Sequence, residues 1–307
     1  MSRRLRFVPP GSLVEVTCRT VQGRLLLRPT PTLCDLTLGV LARAVRIYPV
    51  EVHAFAFLSN HFHLLVTVSD AQRLARFMNY LNSNLAREAG RLISWREKFW
   101  GRRYQAILVA NEEEAQVARL RYVLAHGVKE GLVESPCDWP GAHCVRALLD
   151  GEPLTGRWVD RTRAGATLRK RLQVDPDTFV SIETIRLAPL PCWRDVAEQE
   201  IRARVHELVE DVEREGRIRA QRTGRPPLGQ DFVTRQDPRH EPDRVKKGPA
   251  PLAHAASRIA RESLREAYRI FLGAYRQAAE RLRSGALDAL FPAGAFPPAA
   301  PWRPVPG

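Results

Sequence analysis

The sequence predicts an α+β chain. A β-α-β-β-α-β succession on an antiparallel sheet fills roughly the first half, and a mainly helical extension follows. Three observations predict this. Short apolar runs with strand character are separated by stretches whose apolar residues recur at helical spacing. The 307 residues suffice for two domains, or for one domain with a large extension. Beyond about residue 155 the chain becomes arginine-rich and poor in strand-like runs. Residues 1–155 are therefore read as one domain, and residues 156–307 as a basic, mostly helical extension with a proline-rich tail.

The first strand-like stretch covers residues 12–28, with Leu13, Val14, Val16, Thr17, Val21, Leu25, Leu26 and Leu27, and Gly23 as a turn. A helix is expected over 32–47, with Thr32 as N-cap and Leu33, Leu36, Leu38, Val40, Leu41 and Val45 at helical spacing. Residues 50–57 and 61–68 read as two strands joined by a turn at Ser59-Asn60, a hairpin with both faces buried. Residues 71–92 form a helix whose apolar stripe is Leu74, Phe77, Met78, Leu81, Leu85 and Leu92, with Arg73, Arg76, Arg87 and Arg91 on its basic face. A strand over 105–110 completes the ferredoxin-like order.

Asn111 is the expected cap of a helix running to about His126, with Glu112, Glu113 and Glu114 near the positive end of its dipole. Asp70, Glu112 and Glu113 are read as surface or cap residues. Residues 131–160 are turn-rich, 161–192 irregular and basic, and 193–220 helical. Residues 221–251 read as a linker or an extended DNA-contacting arm. A last helix spans about 254–284, with Ile259, Leu264, Tyr268, Phe271, Leu272 and Tyr275 on its apolar side. The tail, 291–307, is read as unfolded or draped over the surface.

Forty-eight Lys and Arg against 34 Asp and Glu give a net charge of +14. A polyanionic partner is the economical explanation, with nucleic acid first; a solvated basic surface is the alternative. Five cysteines, an odd number with no Cys-x-x-Cys, suggest reduced thiols and a cytoplasmic protein. The N-terminus has no apolar segment behind its arginines, and no run approaches the ~20 apolar residues of a membrane span, so no membrane partner is expected.

Two features carry chemistry. In Ser59-Asn60-His61-Phe62-His63-Leu64-Leu65-Val66, a strand would project His61 and His63 to one face and Phe62 to the other. Such a pair can hold one divalent cation, or can be two hydrogen-bonded histidines. In the helix over 112–126, Tyr122 and His126 are spaced i, i+4, and Arg119 precedes Tyr122 by three, so a phenol, an imidazole and a guanidinium share a face. A tyrosine nucleophile needs a phosphate held in place, a cation to polarise it and charge stabilisation in the transition state. A half-buried helix tyrosine is the plainer alternative. Separately, Trp95, Phe99, Trp100 and Tyr104 interleave with Arg96, Lys98, Arg102 and Arg103. That mixture suits single-stranded DNA, whose bases stack on aromatic rings while basic groups follow the phosphates; Phe99 and Trp100 can equally be core.

The segment Leu58 to Val66 resembles the His-hydrophobe-His motif of single-tyrosine HUH transposases of insertion-sequence type, and most of all the REP-associated tyrosine transposase branch. Phe77 to Ser83, Gly101 to Val109, and Arg121-Tyr122-Val123 with Gly131-Leu132-Val133 resemble, in order, three further segments of that family. The resemblance covers roughly residues 5–150. It implies an HUH single-strand endonuclease that cuts and rejoins single-stranded DNA, at a hairpin or short palindrome, through a 5′-phosphotyrosine. It implies Tyr122 as nucleophile, His61 and His63 as ligands of Mg²⁺ or Mn²⁺, and a possible homodimer. The family usually carries Asn-Pro four and five residues after the tyrosine; here His126-Gly127 stand there, making His126 the expected third ligand. Arg119, Arg102, Arg103, Tyr104, Trp100 and Arg96 are the expected DNA-binding residues. A domesticated nickase and a catalytically silent DNA-binding regulator are the alternative functions.

Overall fold

A computed structural model describes residues 4–170, 174–242 and 251–298. Strand β1 (Leu13–Arg19) stops well short of the expected residue 28. Thr20 turns the chain: its Oγ1 donates toward Arg24 O at 2.6 Å and Asn60 O at 3.0 Å, and Gln22 adopts φ 54°. Leu25, Leu26 and Leu27 are buried all the same, so their apolar character reports burial and not strand.

Helix α1 (Pro31–Ile47) is capped by Thr30 and not by Thr32. The Thr30 hydroxyl accepts from Leu33 N–H at 3.1 Å, and Pro31 fills the first helical position, where a missing N–H costs nothing. Strands β2 (Glu51–Phe57) and β3 (His61–Thr67) form the expected antiparallel hairpin, with a bulge between Val52 and Ala54. Helix α2 (Ala71–Leu92) starts at its Asp70 cap, whose carboxylate accepts from Arg73 N–H at 2.7 Å. Leu74, Phe77, Met78, Leu81 and Leu85 are buried, but Leu92, in the last turn where the helix leaves the sheet, is 45% exposed and does not belong to the stripe.

Strand β4 (Gln105–Val109) leads to helix α3 (Glu113–Leu124). The residue at its N-cap is Glu112, not Asn111, which instead accepts from the Gln116 side chain at 3.2 Å. Because α3 ends at Leu124, His126 lies just beyond it. Ala125 keeps helical dihedrals and His126 N–H still bonds Val123 O, so the i, i+4 relation to Tyr122 survives.

Helix α4 (Val145–Asp150), strand β5 (Leu154–Val159), helix α5 (Arg161–Arg169) and strand β6 (Val180–Ile185) follow in stretches read from sequence as turn-rich or irregular. Strand β5 runs across the expected 155/156 division. It pairs antiparallel with β6, and this ribbon lies on α1. Arg43 and Arg46 of α1 both reach the buried Glu183 of β6, at 2.7 and 3.0 Å, and Arg43 stacks on Trp158 at 4.1 Å. Helix α6 (Glu198–Thr223) begins after the Pro191–Trp193 turn and ends at Gly224 in the left-handed region. Helix α7 (Gln230–Arg235) interrupts the stretch expected as a linker, part of which, 243–250, lies outside the described residues.

A two-residue strand, β7 (Ala253–His254), precedes helix α8 (Arg258–Arg283). On α8, Phe271 is buried against Phe7 with ring centroids 4.5 Å apart, and Tyr268 donates to Leu5 O at 3.1 Å, whereas Ile259 is 80% exposed and is not on the packed side. The tail drapes as far as it is described: Gly294 O accepts from Val8 N–H at 3.0 Å, and residues 299–307 lie outside the described residues.

The main sheet has the order β2-β3-β1-β4-β7, antiparallel except for the β4–β7 edge. The first six elements thus follow the β-α-β-β-α-β order of a ferredoxin-like fold. Phe55, Phe62, Phe77, Leu64 and Leu81 are fully buried at its centre, each contributing about 1.5–3 kcal/mol of transfer free energy. All five cysteines are free, and burial pushes the Cys18 and Cys144 thiols up to about 12, which leaves both unreactive at neutral pH. Among the described residues no helix is long and apolar enough to cross a membrane.

Helix α1 touches β5 backbone to backbone. A Cβ at Gly39 would fall on the Arg157 peptide group, and one at Gly156 on Gly39 N and Asp35 O. Gly39→Ala is therefore expected to lower unfolding free energy by about 1–3 kcal/mol in urea titrations, despite the better helix propensity of alanine. Gly273→Ala, whose added methyl meets nothing within 4 Å on α8, should instead leave stability unchanged or raise it by up to ~1 kcal/mol.

Candidate metal centre and nucleophile

The two-residue period of β3 puts His61 and His63 on one face and Phe62 and Leu64 on the other. Across the β1 pairing, Arg19 lies opposite His61 and Thr17 opposite His63, with Glu15 on the same face of β1. Helix α3 covers this face and brings Tyr122 and, just past its end, His126 onto the histidine pair. One ligating atom from each of His61, His63 and His126 lies within 4.8 Å of the other two. The Tyr122 ring stands 4.8 Å from the His126 ring and 5.4 Å from that of His63.

Each imidazole has its Nδ1 engaged by an oxygen: His61 with Asn60 Oδ1 at 2.7 Å, His63 with Glu15 Oε1 at 2.8 Å, His126 with Val123 O at 3.2 Å. That arrangement assigns the proton to Nδ1 and turns Nε2 into the acceptor on each ring, although on His126 the Lys129 ammonium, 2.9 Å away, now occupies it and would have to give way to a cation. Burial, then the neighbouring His63, pushes His61 and His126 well below the ordinary histidine range, so both are neutral at pH 7. The residues present thus fit a divalent cation. Small movements would bring these atoms, all within 4.8 Å of one another, to the roughly 3–3.5 Å separations of three nitrogen ligands each about 2.1 Å from one ion.

Two cations flank the phenol. Lys129 Nζ lies 3.3 Å from the Tyr122 ring centroid and 2.9 Å from His126 Nε2, and the Arg119 guanidinium lies 4.6 Å from the same centroid. Burial pushes the Lys129 ammonium down to about 8, opposed by the Glu130 and Glu15 carboxylates. The Tyr122 hydroxyl is raised above its ordinary value by burial, then by the charges of Glu15 and Glu130, against the pull of Arg119 and Arg19. The protein's own charges therefore do not favour the phenolate.

Glu15 organises the site from beneath. Its carboxylate is 2% exposed; besides His63 it meets His254 Nε2 at 2.8 Å and Arg119 at 3.4 Å through Oε2. Burial would raise its carboxyl, but the hydrogen bonds from His254 and His63 hold it well below the usual carboxylate range. Sequence reasoning missed Glu15, Lys129 and His254. A lone acid within Leu13-Val14-Glu15-Val16 was a usable signal for the first. Nothing local marked the other two.

The expected DNA-binding residues divide. Arg119 belongs to the tyrosine site. Arg96, Trp100, Arg102, Arg103 and Tyr104 line a separate groove of about 1080 Å³ along α2, with Asn79, Arg87 and Arg91. This groove lies toward the other face of the sheet: the Trp100 ring meets Phe62, with centroids 5.5 Å apart, and its Nε1 donates to Asn82 O at 2.9 Å. Phe99 is core, and one face of the Tyr104 ring is taken by Arg6 at 4.4 Å, which leaves Trp100 the better placed of these aromatics for stacking.

Residues 35–124 match the family model described as transposase IS200 like. The matched span runs from α1 through α3 and includes His61, His63 and Tyr122; His126 falls two residues beyond it. No curated protein matches the chain. Among solved structures, the REP-associated tyrosine transposase bound to a REP hairpin is 19% identical, with 49% of this chain and 86% of that chain covered at a TM-score of 0.40. A crystal structure from Deinococcus radiodurans assigned as a transposase is 17% identical, with 39% and 94% covered at a TM-score of 0.29. Residues 35–124 of this chain accordingly belong to the IS200-like transposase family.

Proposed function

We propose that the protein cuts and rejoins single-stranded DNA, with Tyr122 as the nucleophile and His61, His63 and His126 as the ligands of one divalent cation. The observation that carries this reading is the convergence of a phenol and three imidazoles on one side of the sheet. A divalent cation held there would polarise the scissile phosphate. Three nitrogen donors favour Mn²⁺ over the harder Mg²⁺.

The Tyr122 oxygen gives up its proton and attacks the phosphorus. The new bond joins phenolic oxygen to the 5′ phosphate, and the bond to the 3′ oxygen breaks. That oxygen leaves as a 3′-hydroxyl after taking a proton. One phosphoester replaces another, so rejoining is the same step reversed and needs no external energy source. Lys129 and Arg119, both against the ring, are placed to offset charge gathering on the phosphoryl oxygens. Contact between Tyr122 and the histidines of its own chain supports action in cis, so the chemistry does not require a second subunit. In this reading residues 1–155 carry the chemistry, and the α2 groove holds a hairpin or short palindrome through Arg96, Arg102, Arg103 and Trp100. Residues 156–307 form the extension.

Tyr122→Phe should abolish the denaturant-resistant protein–DNA adduct and leave DNA affinity within about twofold, whereas Tyr80→Phe and Tyr104→Phe still form it; a 5′-linked adduct from Tyr122→Phe would assign the chemistry to another residue. His61→Ala or His126→Ala should lower Mn²⁺-stimulated cleavage at least ~100-fold, the loss of several kcal/mol of charge stabilisation, with binding retained; full cleavage in EDTA is the contrary result. For single-stranded DNA contacting about 6–8 phosphates, the log–log salt dependence of binding should have a slope of roughly −4 to −6. Arg102→Ala with Arg103→Ala should flatten it by about 1–1.5, and an unchanged slope would remove the groove from the interface.

A further inference from the structure

Glu15 takes an imidazole on each oxygen. His63 Nδ1 is 2.8 Å from Oε1, and His254 Nε2 is 2.8 Å from Oε2. His254 comes from the far end of the chain, on a two-residue edge strand that is tied to β4 along one side and held again just past its end. Ala253 and His254 run parallel to Leu108 and Val109 of β4, and Ala110 N–H donates to His254 O at 2.8 Å. The Glu112 carboxylate, at the start of the tyrosine helix, accepts from Ala256 and Ser257 N–H at 2.9 and 3.1 Å. The backbone strap over 253–257 thus fixes one imidazole against a carboxylate buried beneath the histidine cluster.

We propose that His254 is a positioning residue for the metal centre. It holds Glu15 in the rotamer that keeps the His63 proton on Nδ1 and the His63 Nε2 lone pair toward the cation. The C-terminal extension thereby completes a site whose other residues all lie before residue 130. This inference rests on the reading of His61, His63 and His126 as metal ligands.

The physical argument is one of valence. A buried carboxylate needs its oxygens satisfied, and an unmatched oxygen at low dielectric is costly. Without His254, Oε2 retains only Arg119, at 3.4 Å. The carboxylate would turn toward that guanidinium, lengthen its bond to His63 and release the imidazole to rotate or change tautomer. Arg119 would be drawn from its place over the Tyr122 ring. Groups that orient metal-bound histidines typically govern affinity or rate by 10–100-fold.

The test uses the full chain with His254→Phe and His254→Ala, which remove the donor, and His254→Gln, which keeps an N–H donor at the end of a flexible side chain. Mn²⁺ affinity is read by electron paramagnetic resonance of the free ion. The His63 tautomer is read from ¹⁵N shifts of histidine-labelled protein without metal, assigned by the signal lost in His63→Gln. Melting temperature and DNA affinity in EDTA report on folding and on the groove. His254→Phe and His254→Ala should weaken Mn²⁺ binding 10–100-fold and lower the cleavage rate at saturating DNA similarly. The His63 signals should lose their Nδ1–H pattern, with DNA affinity in EDTA unchanged, and His254→Gln should recover most of each effect.

An unchanged His63 tautomer in folded His254→Phe or His254→Ala overturns the proposal, as does equal impairment of all three variants in proportion to lost melting temperature. Failure of the wild-type protein to bind Mn²⁺, or binding indifferent to His61→Ala, refutes the metal reading instead. The tautomer measurement then still decides whether His254 sets the state of His63.

Discussion

A buried carboxylate in the central strand of the main sheet is the constraint from which the site follows. Stripping a charge of water is affordable only when donors surround it. Glu15 has three: His63, His254 and Arg119. Each is thereby committed to a place. His63 must present its remaining nitrogen outward, Arg119 must lie across α3 beside Tyr122, and the strap bearing His254 must close against β4. The folded carboxyl is held below its unfolded value, so the group contributes stability above the usual carboxylate range and loses it as acid approaches the folded value.

The same alternation that builds the histidine face builds the groove. Along β3 the side chains divide: histidines go to the tyrosine helix, and Phe62 goes to Trp100 and the α2 side. One strand therefore couples two surfaces of different character. One is closed, rich in imidazole and holds the phenol. The other is open and lined by arginine and a tryptophan indole. The two surfaces are physically separate, so a substitution in one can leave the other intact.

Much of this was legible in the sequence because it is local. Asp70 ahead of a regular apolar stripe marked α2 to the residue, the alternating run marked the hairpin, and Tyr122 with His126 at i, i+4 marked a shared face. Errors arose where a neighbour competes for the same role. Thr30 displaced Thr32 because Pro31 suits the first helical position. Glu112 stands at the N-cap in place of Asn111, and its carboxylate is spent on the backbone of 256–257. The β5–β6 ribbon was missed because its identity lies in what it packs on: Gly156 reads as a strand breaker until α1 is seen resting on it. His254 was invisible for the same reason, since its partner Glu15 is at the other end of the chain.

The net charge of +14 also takes its meaning from distribution. In the long helices of the extension, several arginines are matched by acids on their own helix. Arg204 pairs with Glu200, Arg258 with Glu262, Arg269 with Glu266 and Arg283 with Glu280. Such exposed pairs add little stability, but they neutralise the local field. Among the described residues no carboxylate lies within 4.0 Å of Arg96, Arg102 or Arg103 to form an ion pair. A guanidinium with no acid beside it loses no partner on meeting a phosphate, whereas a paired one must first give up its carboxylate. The α2 groove thus presents three guanidiniums with no acid paired to them, within the same domain that holds the tyrosine.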